Sequence, residues 1–227
     1  MLIISHKSSE EFKKFLCDNN FSFIETIDNP NLDSRIADHP DLSIFALDDN
    51  NLVIDKNVSS YYKKHIKFKN IIDGDEVSYS YPNDSIYNIY QYANFYIHND
   101  ITESNIKAYM KSNSYTHFYT KQGYSRCSII PMGEKILTSD YGIYKSLKNQ
   151  INVILLKEEH IPLDGFANGF IGGTCGLIGD TLIFNGNIEN SPNYEIIKNE
   201  AMKSNIKLMY ADLPLVDLGS IIYLTDC

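Results

Sequence analysis

Pairs of apolar runs joined by short polar turns recur along this chain. The segments 39–55, 123–139 and 169–185 align without gaps, and a weaker copy occupies residues 81–98. Each has an apolar run, a polar or Gly-containing turn and a second apolar run. This pattern predicts β-hairpins with turns at 48–51, 132–135 and 178–181. Self-similarity at a period of a few tens of residues indicates a repeat architecture.

Helical patterns follow the hairpins. Ser8 and Glu11 match a capping box, in which each side chain satisfies a free amide of the first helical turn, and apolar residues follow at helical spacing. Further helices are predicted to open at Thr102, at Asp140 and at Ser191-Pro192. A short β-like run then follows each helix, at 21–27, 115–120, 152–156 and 206–210. The predicted repeat unit is therefore a hairpin, a helix and a strand.

The two ends of the chain complete one unit between them. Units begin near residues 39, 81, 123 and 169, and a fifth near 215 contains a single strand, 215–225. Residues 1–27 supply the missing strand, helix and strand. We therefore predict one α/β domain spanning 1–227, with five ββαβ units in a closed, propeller-like pseudo-fivefold ring and residues 1–5 paired against 218–225. A ring would leave little exposed sheet edge; the alternative is an open α/β sandwich with chance spacing.

Composition excludes several classes of partner. The formal net charge is −9, and no run of Lys and Arg forms a patch suited to nucleic acid. No apolar stretch has the roughly 18–20 residues that span a bilayer, and the first residues do not form a signal peptide. The four cysteines are scattered without metal-ligand spacing. We expect a cytoplasmic protein with reduced thiols, no metal and no cofactor; the sequence sets no oligomeric state.

Three segments resemble a known family: KQGYSRCSI (121–129), GFIGGTCG (169–176) and DLGSIIYLT (217–225). They look like an uncharacterised bacterial family assigned to the pentein fold, and a five-unit ring closed by its own termini resembles that fold. Penteins, or guanidino-group-modifying enzymes, include arginine and agmatine deiminases, amidinotransferases and dimethylarginine hydrolases. They also include a non-catalytic ribosome anti-association factor. The resemblance implies a fold and brings no activity with it.

The usual pentein catalytic residues are not found where the resemblance places them. The catalytic members use a Cys nucleophile, a His and acidic residues around the centre of the ring. Aligned on the agmatine-deiminase type, the nucleophile position holds Tyr223, the His position falls within 169–173, and the acid is replaced by Gln122. The resemblance therefore implies that standard guanidino chemistry is absent.

Cys127 is the first candidate for other chemistry. It is predicted to lie on the first strand of the third hairpin, next to Arg126 and near Lys121, and cations lower the pKa of a thiol. The alternative is a buried thiol that acts as a small hydrophobe. Cys175 follows Gly172 and Gly173, which could form an anion-binding nest or could allow tight packing.

Further polar residues open the first two hairpins. His39 stands near Asp41, either as an imidazole between carboxylates or in a solvated loop. Asp84 and Asn88 form either Asx turns or a polar patch with Lys121, Gln122, Tyr124, Arg126 and Cys127. Two functions remain open. One is binding of a small polar ligand, or unorthodox catalysis, in the central channel. The other is a non-catalytic protein-interaction module with a plugged channel and an exposed patch.

Overall fold

A computed structural model describes residues 1–67 and 70–225. The fold is mixed α/β, with five three-stranded sheets in the orders β15-β1-β2, β3-β4-β5, β6-β7-β8, β9-β10-β11 and β12-β13-β14. The strands are β1 (Leu2–Ile4), β2 (Phe23–Glu25), β3 (Ile44–Ala46), β4 (Asn51–Asp55), β5 (Asn70–Gly74), β6 (Tyr90–Tyr92), β7 (Phe95–His98), β8 (Thr116–Tyr119), β9 (Ile130–Met132), β10 (Lys135–Thr138), β11 (Asn152–Leu155), β12 (Cys175–Ile178), β13 (Thr181–Phe184), β14 (Lys207–Tyr210) and β15 (Ile222–Tyr223). The helices are α1 (Glu10–Asp18), α2 (Ser59–His65), α3 (Ser104–Ser112), α4 (Tyr141–Leu147) and α5 (Tyr194–Lys203).

Each sheet repeats one topology. In four of the five sheets an antiparallel pair is joined by a short turn, and in all five a helix then leads to a third strand parallel to the middle one, as in β3, β4, α2 and β5. All four predicted hairpins are confirmed, including the weak copy at 81–98, which contains β6 and β7. The helix and third strand of the first unit, α2 and β5, were not identified in the sequence.

The predicted pairing of the two chain ends is confirmed. β1 pairs antiparallel with β15 through Leu2 opposite Tyr223 and Ile3 opposite Ile222, and parallel with β2 on its other side. Because β1 is the middle strand of its sheet, Leu2, Ile3 and Ile4 are almost fully buried.

The helix starts differ from the predicted ones by small shifts. Ser9, and not Ser8, caps α1 by accepting a hydrogen bond from Phe12 N, so the capping box is wrong. Glu103 caps α3 one residue after the predicted start, and Asp140 caps α4 as predicted. Asn193 precedes α5, so the Ser191-Pro192 start is also wrong. Each of these helices buries apolar residues in a hydrophobic cluster, for example Phe12 and Leu16 of α1.

The segments before the first hairpin strands are turns, where continuous strands were predicted. Pro40–Leu42 and Ile171–Thr174 form 3-10 turns, and residues 125–128 form another turn before β9. Pro40 lacks an amide proton for a strand ladder. At Gly172, an added Cβ would lie 2.4 Å from Ile129 O and 2.5 Å from Cys127 O, so two turns meet backbone to backbone there. These turns carry the candidate site residues. In the described ranges, no helix is long and apolar enough to cross a membrane.

Candidate functional site

A cavity of about 220 Å³ lies where the turns of several sheets meet. It is called the thiol cavity below. Its lining is mainly apolar, with a few polar groups. The lining residues are Ile36, His39, Leu42, Tyr124, Cys127, Leu163, Phe166, Asn168, Phe170 and Asp217. Ligand sites in proteins commonly have this composition, with apolar walls and a small number of convergent polar side chains.

The Cys127 thiol is buried against polar groups from two other units. Its Sγ donates to Asp41 Oδ2 at 2.9 Å and accepts from Asn88 Nδ2 at 3.1 Å. Asn88 Oδ1 also accepts from Cys127 N at 3.0 Å, so one amide side chain fixes both the backbone and the thiol. Burial raises the pKa of the Cys127 thiol well above its ordinary value, and the charges of Asp41 and Asp217 raise it further.

Three buried carboxyl groups lie at the cavity or next to it: Asp217 lines it, Asp41 contacts Cys127 of the lining, and Asp84 contacts Tyr124 of the lining. Asp41 Oδ2 also accepts from Ser220 N, and Asp217 accepts from Phe170 N and Gly219 N. Asp84 Oδ2 accepts from the Tyr124 hydroxyl at 2.6 Å. Desolvation raises the pKa of both Asp84 and Asp217. In the described part of the chain, none of the three carboxyl groups forms an ion pair with Lys or Arg.

His39 supplies the one imidazole of the cavity lining. It is 5% exposed, and its charge lowers the pKa of Asp217, against the larger effect of desolvation. Gly219 has φ of +75°, and a Cβ there would lie 2.7 Å from the His39 Cβ. Glycine at this position therefore lets the turn that carries Asp217 approach His39 closely.

A loop covers one side of the cavity. Leu163, Phe166 and Asn168 come from the segment between β11 and the Ile171–Thr174 turn. The Arg35 guanidinium lies 4.0 Å from the centroid of the Phe166 side chain and donates to Gly165 O at 2.6 Å. Asp33 holds Arg35 from the other side through Nη2 at 2.6 Å. These contacts fix the loop over the apolar wall.

The structure brings together five of the sequence candidates: Asp41, Asn88 and Cys127 in one group, and Asp84 with Tyr124 in a neighbouring one. His39 lies beside them and not in a solvated loop. Gln122 instead donates to Asp140 at 2.9 Å, and Lys121 is exposed.

The remaining candidates lie elsewhere or serve packing. Arg126, Gly172 and Cys175 line a different cavity, and Tyr223 lines a wider opening beyond it. A Cβ on Gly173 would lie 2.0 Å from Asp217 Oδ1, so close packing accounts for this glycine.

The hypothesis that Lys121 and Arg126 lower the pKa of Cys127 is wrong. It assumed a regular strand, in which alternate residues share a face. Cys127 lies in a turn, its thiol contacts Asp41, and the net electrostatic effect has the opposite sign. Cys127 is 2% exposed, which agrees with the alternative interpretation of a buried thiol.

Asp217 and Phe170 were missed as site residues. Asp217 opens the segment 217–225 that carried the family resemblance, and an acidic residue before Gly219 was the available signal. The covering loop gave no signal, because its position depends on Arg35, 130 residues away from Gly165 along the chain.

One group of possible metal ligands lies outside this site. Single ligand atoms of His6, Asp28 and Asp38 all lie within 4.8 Å of one another. Lys7 Nζ lies 2.6 Å from Asp38 Oδ1, so an ammonium group already neutralises the buried carboxyl group of this cluster.

Comparisons with known proteins agree on the fold. A family model described as a family of unknown function (DUF6873) matches residues 3–222. Comparison with curated proteins found no match. A solved dimethylarginine dimethylaminohydrolase from Pseudomonas aeruginosa, with citrulline, is 8% identical, covers 93% of this chain and 91% of that chain, and has a TM-score of 0.57.

Two further structures are similar over most of the chain. An amidinotransferase from Microseira wollei, of the saxitoxin biosynthetic pathway, is 10% identical and covers 92% of this chain and 77% of that chain, with a TM-score of 0.54. An agmatine deiminase from C. jejuni with bound substrate is 13% identical and covers 90% of this chain and 75% of that chain, with a TM-score of 0.52. At these identities the likeness shows the pentein fold alone.

Proposed function

The chain belongs to the DUF6873 family of unknown function, and we propose that it binds a small cationic ligand in the thiol cavity. The observation that carries this proposal is the excess of buried acid. Asp41, Asp84 and Asp217 are at most 6% exposed, and Oδ1 of both Asp41 and Asp84 has no hydrogen-bond partner among the described residues. A buried carboxylate without a counter-ion is costly, and a cation supplied by a ligand relieves that cost.

Cavity size and lining favour a compact, planar cation of the guanidinium or amidinium type. About 220 Å³ accommodates such a group with a short aliphatic stem. The side chains of Leu42, Leu163 and Phe170 provide apolar surface for the stem, and Tyr124 and Phe170 stack with centroids 5.7 Å apart. Planar N–H donors match carboxylate geometry and pack on aromatic faces, which compact ammonium ions do less well.

A bound cation would also change the chemistry of Cys127. A positive charge beside the thiol favours thiolate, opposing the effect of Asp41 and Asp217. Cys127 would then be the nucleophile of the site, and His39 the group placed to exchange protons. Both residues stand at positions that differ from those expected for the agmatine-deiminase type, so the absence of standard guanidino chemistry remains a prediction.

We propose further that the five sheets close into a ring around this site. Contacts between successive sheets support the arrangement: Arg126 N donates to Asn88 O, Gly173 N to Cys127 O, and Ile221 N to Cys175 O. The Tyr109 hydroxyl donates to Asp48 at 2.7 Å, which joins the first unit to the second. Ser220 N donates to Asp41, which joins the last sheet to the first.

Isothermal titration with methylguanidine tests the proposed ligand class, with methylurea as its neutral near-isostere. We expect methylguanidine to bind and methylurea not to bind. Asp217→Asn and Asp84→Asn should each weaken binding about tenfold or more, since a hydrogen bond to a charged group contributes about 1.5–3 kcal/mol. Asp180→Asn, an exposed acid in the β12–β13 turn, is the matched control and should leave the affinity unchanged.

Equal binding of the two compounds, or an affinity that survives both site substitutions, would contradict cation recognition. If neither compound binds at millimolar concentration, the non-catalytic interaction module becomes the better hypothesis. Asp84→Asn keeps the test valid if Asp217→Asn fails to fold, because the Asp84 side chain accepts from the Tyr124 hydroxyl, whereas Asp217 orders the backbone amides of two other residues.

A further inference from the structure

A second cavity, of about 180 Å³, lies at the far end of the same turns and strands. Asp217 and Cys127 line the thiol cavity. Ser220 and Ile129, which follow them by three and two positions in the chain, line this second cavity. Arg126 and Tyr90 are its polar residues of interest, so it is called the arginine cavity here. Nothing proposed for the thiol cavity makes use of it.

Arg126 carries a guanidinium without a counter-ion in the described residues. The chain has two arginines, and the other, Arg35, is paired with Asp33. Arg126 Nε is buried with no hydrogen-bond partner, and Nη2 reaches Ile221 O only at 3.4 Å. A guanidinium has five N–H donors in a fixed fork, so most of its hydrogen-bonding capacity is unused here.

Tyr90 provides an independent observation of the same kind. Its side chain lines the arginine cavity, the residue is 4% exposed, and its hydroxyl is buried with no partner within the described ranges. A buried hydroxyl without a hydrogen bond costs about 1–3 kcal/mol, and native proteins rarely leave one so. Two unpartnered donors, one of them charged, thus line one cavity.

The surroundings determine which anion fits. The cavity shares Gln91, Tyr92, Arg126 and Leu177 with a wider vestibule of about 610 Å³, which also contains Asp48 and Asp49. One guanidinium balances one negative charge, and the two acids of the vestibule disfavour a second. A monoanion with an apolar remainder therefore fits better than a dianionic phosphate.

We propose that the arginine cavity binds the carboxylate of a small organic acid. The carboxylate accepts from the Arg126 guanidinium in the bidentate manner and from the Tyr90 hydroxyl. The apolar part of the acid lies against Ile129 and Leu177 and extends toward the vestibule. The protein then has two ligand sites of opposite charge preference. Cys127 lines the site for cations, and its neighbour in the chain, Arg126, lines the site for anions.

Titration of the ¹⁵N-labelled full chain with sodium butyrate, followed by NMR, tests this site. Butyrate should bind at millimolar concentration and shift amides near Ile129 and Leu177, and 1-butanol and butylamine should not. Arg126→Gln should weaken butyrate binding at least about tenfold, as expected for loss of a charge-assisted bidentate pair. The control Lys14→Gln, which removes an exposed positive charge on α1, should leave it unchanged.

Tyr90→Phe separates binding from folding. Removing an unpartnered hydroxyl should leave the ligand-free protein at least as stable as the wild type, yet it should weaken butyrate binding several-fold. The proposal is overturned if butyrate does not bind the wild type, if Arg126→Gln or Tyr90→Phe binds it equally well, or if inorganic phosphate binds more tightly than butyrate. Methylguanidine binding tests the other cavity, so the two proposals can fail separately.

Discussion

The Cys127 thiol illustrates how far neighbours in the sequence differ from neighbours in space. Arg126 precedes it in the chain, but the group to which its sulfur donates belongs to Asp41, 86 residues away. This thiol keeps its proton to higher pH first because burial disfavours the charged thiolate, and second because the thiolate would lie beside a carboxylate. In the ligand-free protein the reactivity of this residue is therefore lowered first by burial and then by the charges of Asp41 and Asp217.

Alkylation with iodoacetamide across pH measures this control. In a Cys17→Ser, Cys175→Ser, Cys227→Ser background, the midpoint for Cys127 should lie above the ordinary thiol value of about 8.5. Asp41→Asn removes the adjacent charge and should move the midpoint to lower pH. The exposed Cys17, kept as the single thiol in a parallel variant, is the control. A Cys127 midpoint at or below that of Cys17 would contradict the arrangement of Cys127 and Asp41.

At the element scale, the sequence was informative about strands and helices and uninformative about the turns between them. Pairs of apolar runs around a short polar turn located all four predicted hairpins, because strands packed in a core are rich in apolar residues. The aligned segments also include Pro40–Leu42 and Ile171–Thr174, where the backbone forms 3-10 turns. Period-two counting therefore failed where the site residues lie. Asp217 could not be linked to Gly173 in advance, since only the packed turns bring them together.

His98, at the end of β7, holds the segment that precedes β6 and the segment that precedes β9 in place. Its Nε2 lies 2.9 Å from Gly123 O and 3.2 Å from Ser85 O, next to Tyr124 and Asp84 of the site. Burial lowers the pKa of His98 to about 4. The unfolded chain takes up this proton near pH 6.5 and the folded protein only near pH 4, so acidification through that range favours the unfolded state.

The free energy of unfolding should accordingly fall by about 3 kcal/mol, on account of His98 alone, as the pH drops from about 6.5 to about 4. Urea unfolding at several pH values measures the total dependence, to which Asp84 and Asp217 contribute with the opposite sign, because their raised pKa values favour the folded state on acidification. His98→Gln should show a shallower loss on acidification than the wild type, and the exposed His65→Gln should match the wild type. If His98→Gln and the wild type have the same pH dependence, His98 is not held neutral in the folded protein.

At the scale of the whole molecule, the pairing of the two chain ends could be predicted, because each end supplies part of a repeat unit and the two parts together make one complete unit. The contribution of this pairing to stability could be inferred only from the packing of β1 in the structure. Leu2 belongs to a hydrophobic cluster with Ile183 of β13, and Ile3 belongs to another cluster with Ile44 of β3. β1 thus lies between two neighbouring sheets as well as between β2 and β15, and it contributes to the packing of both.

Loss of β1 should therefore destabilise the entire domain, not only its own sheet. Deletion of residues 1–5 removes a middle strand and exposes the edges of β2 and β15, so we expect it to abolish cooperative unfolding near the wild-type midpoint.

Ile3→Ala is the milder test and should lower the free energy of unfolding by about 2–5 kcal/mol, because it leaves a cavity between two sheets. Met202→Ala, at a side chain 67% exposed on α5, is the control and should change stability by no more than about 0.5 kcal/mol. Urea unfolding of the three variants beside the wild type decides the matter. A deletion variant that unfolds at the wild-type midpoint would show that the chain ends do not hold the molecule together, and the proposed ring would then lack its closing strand.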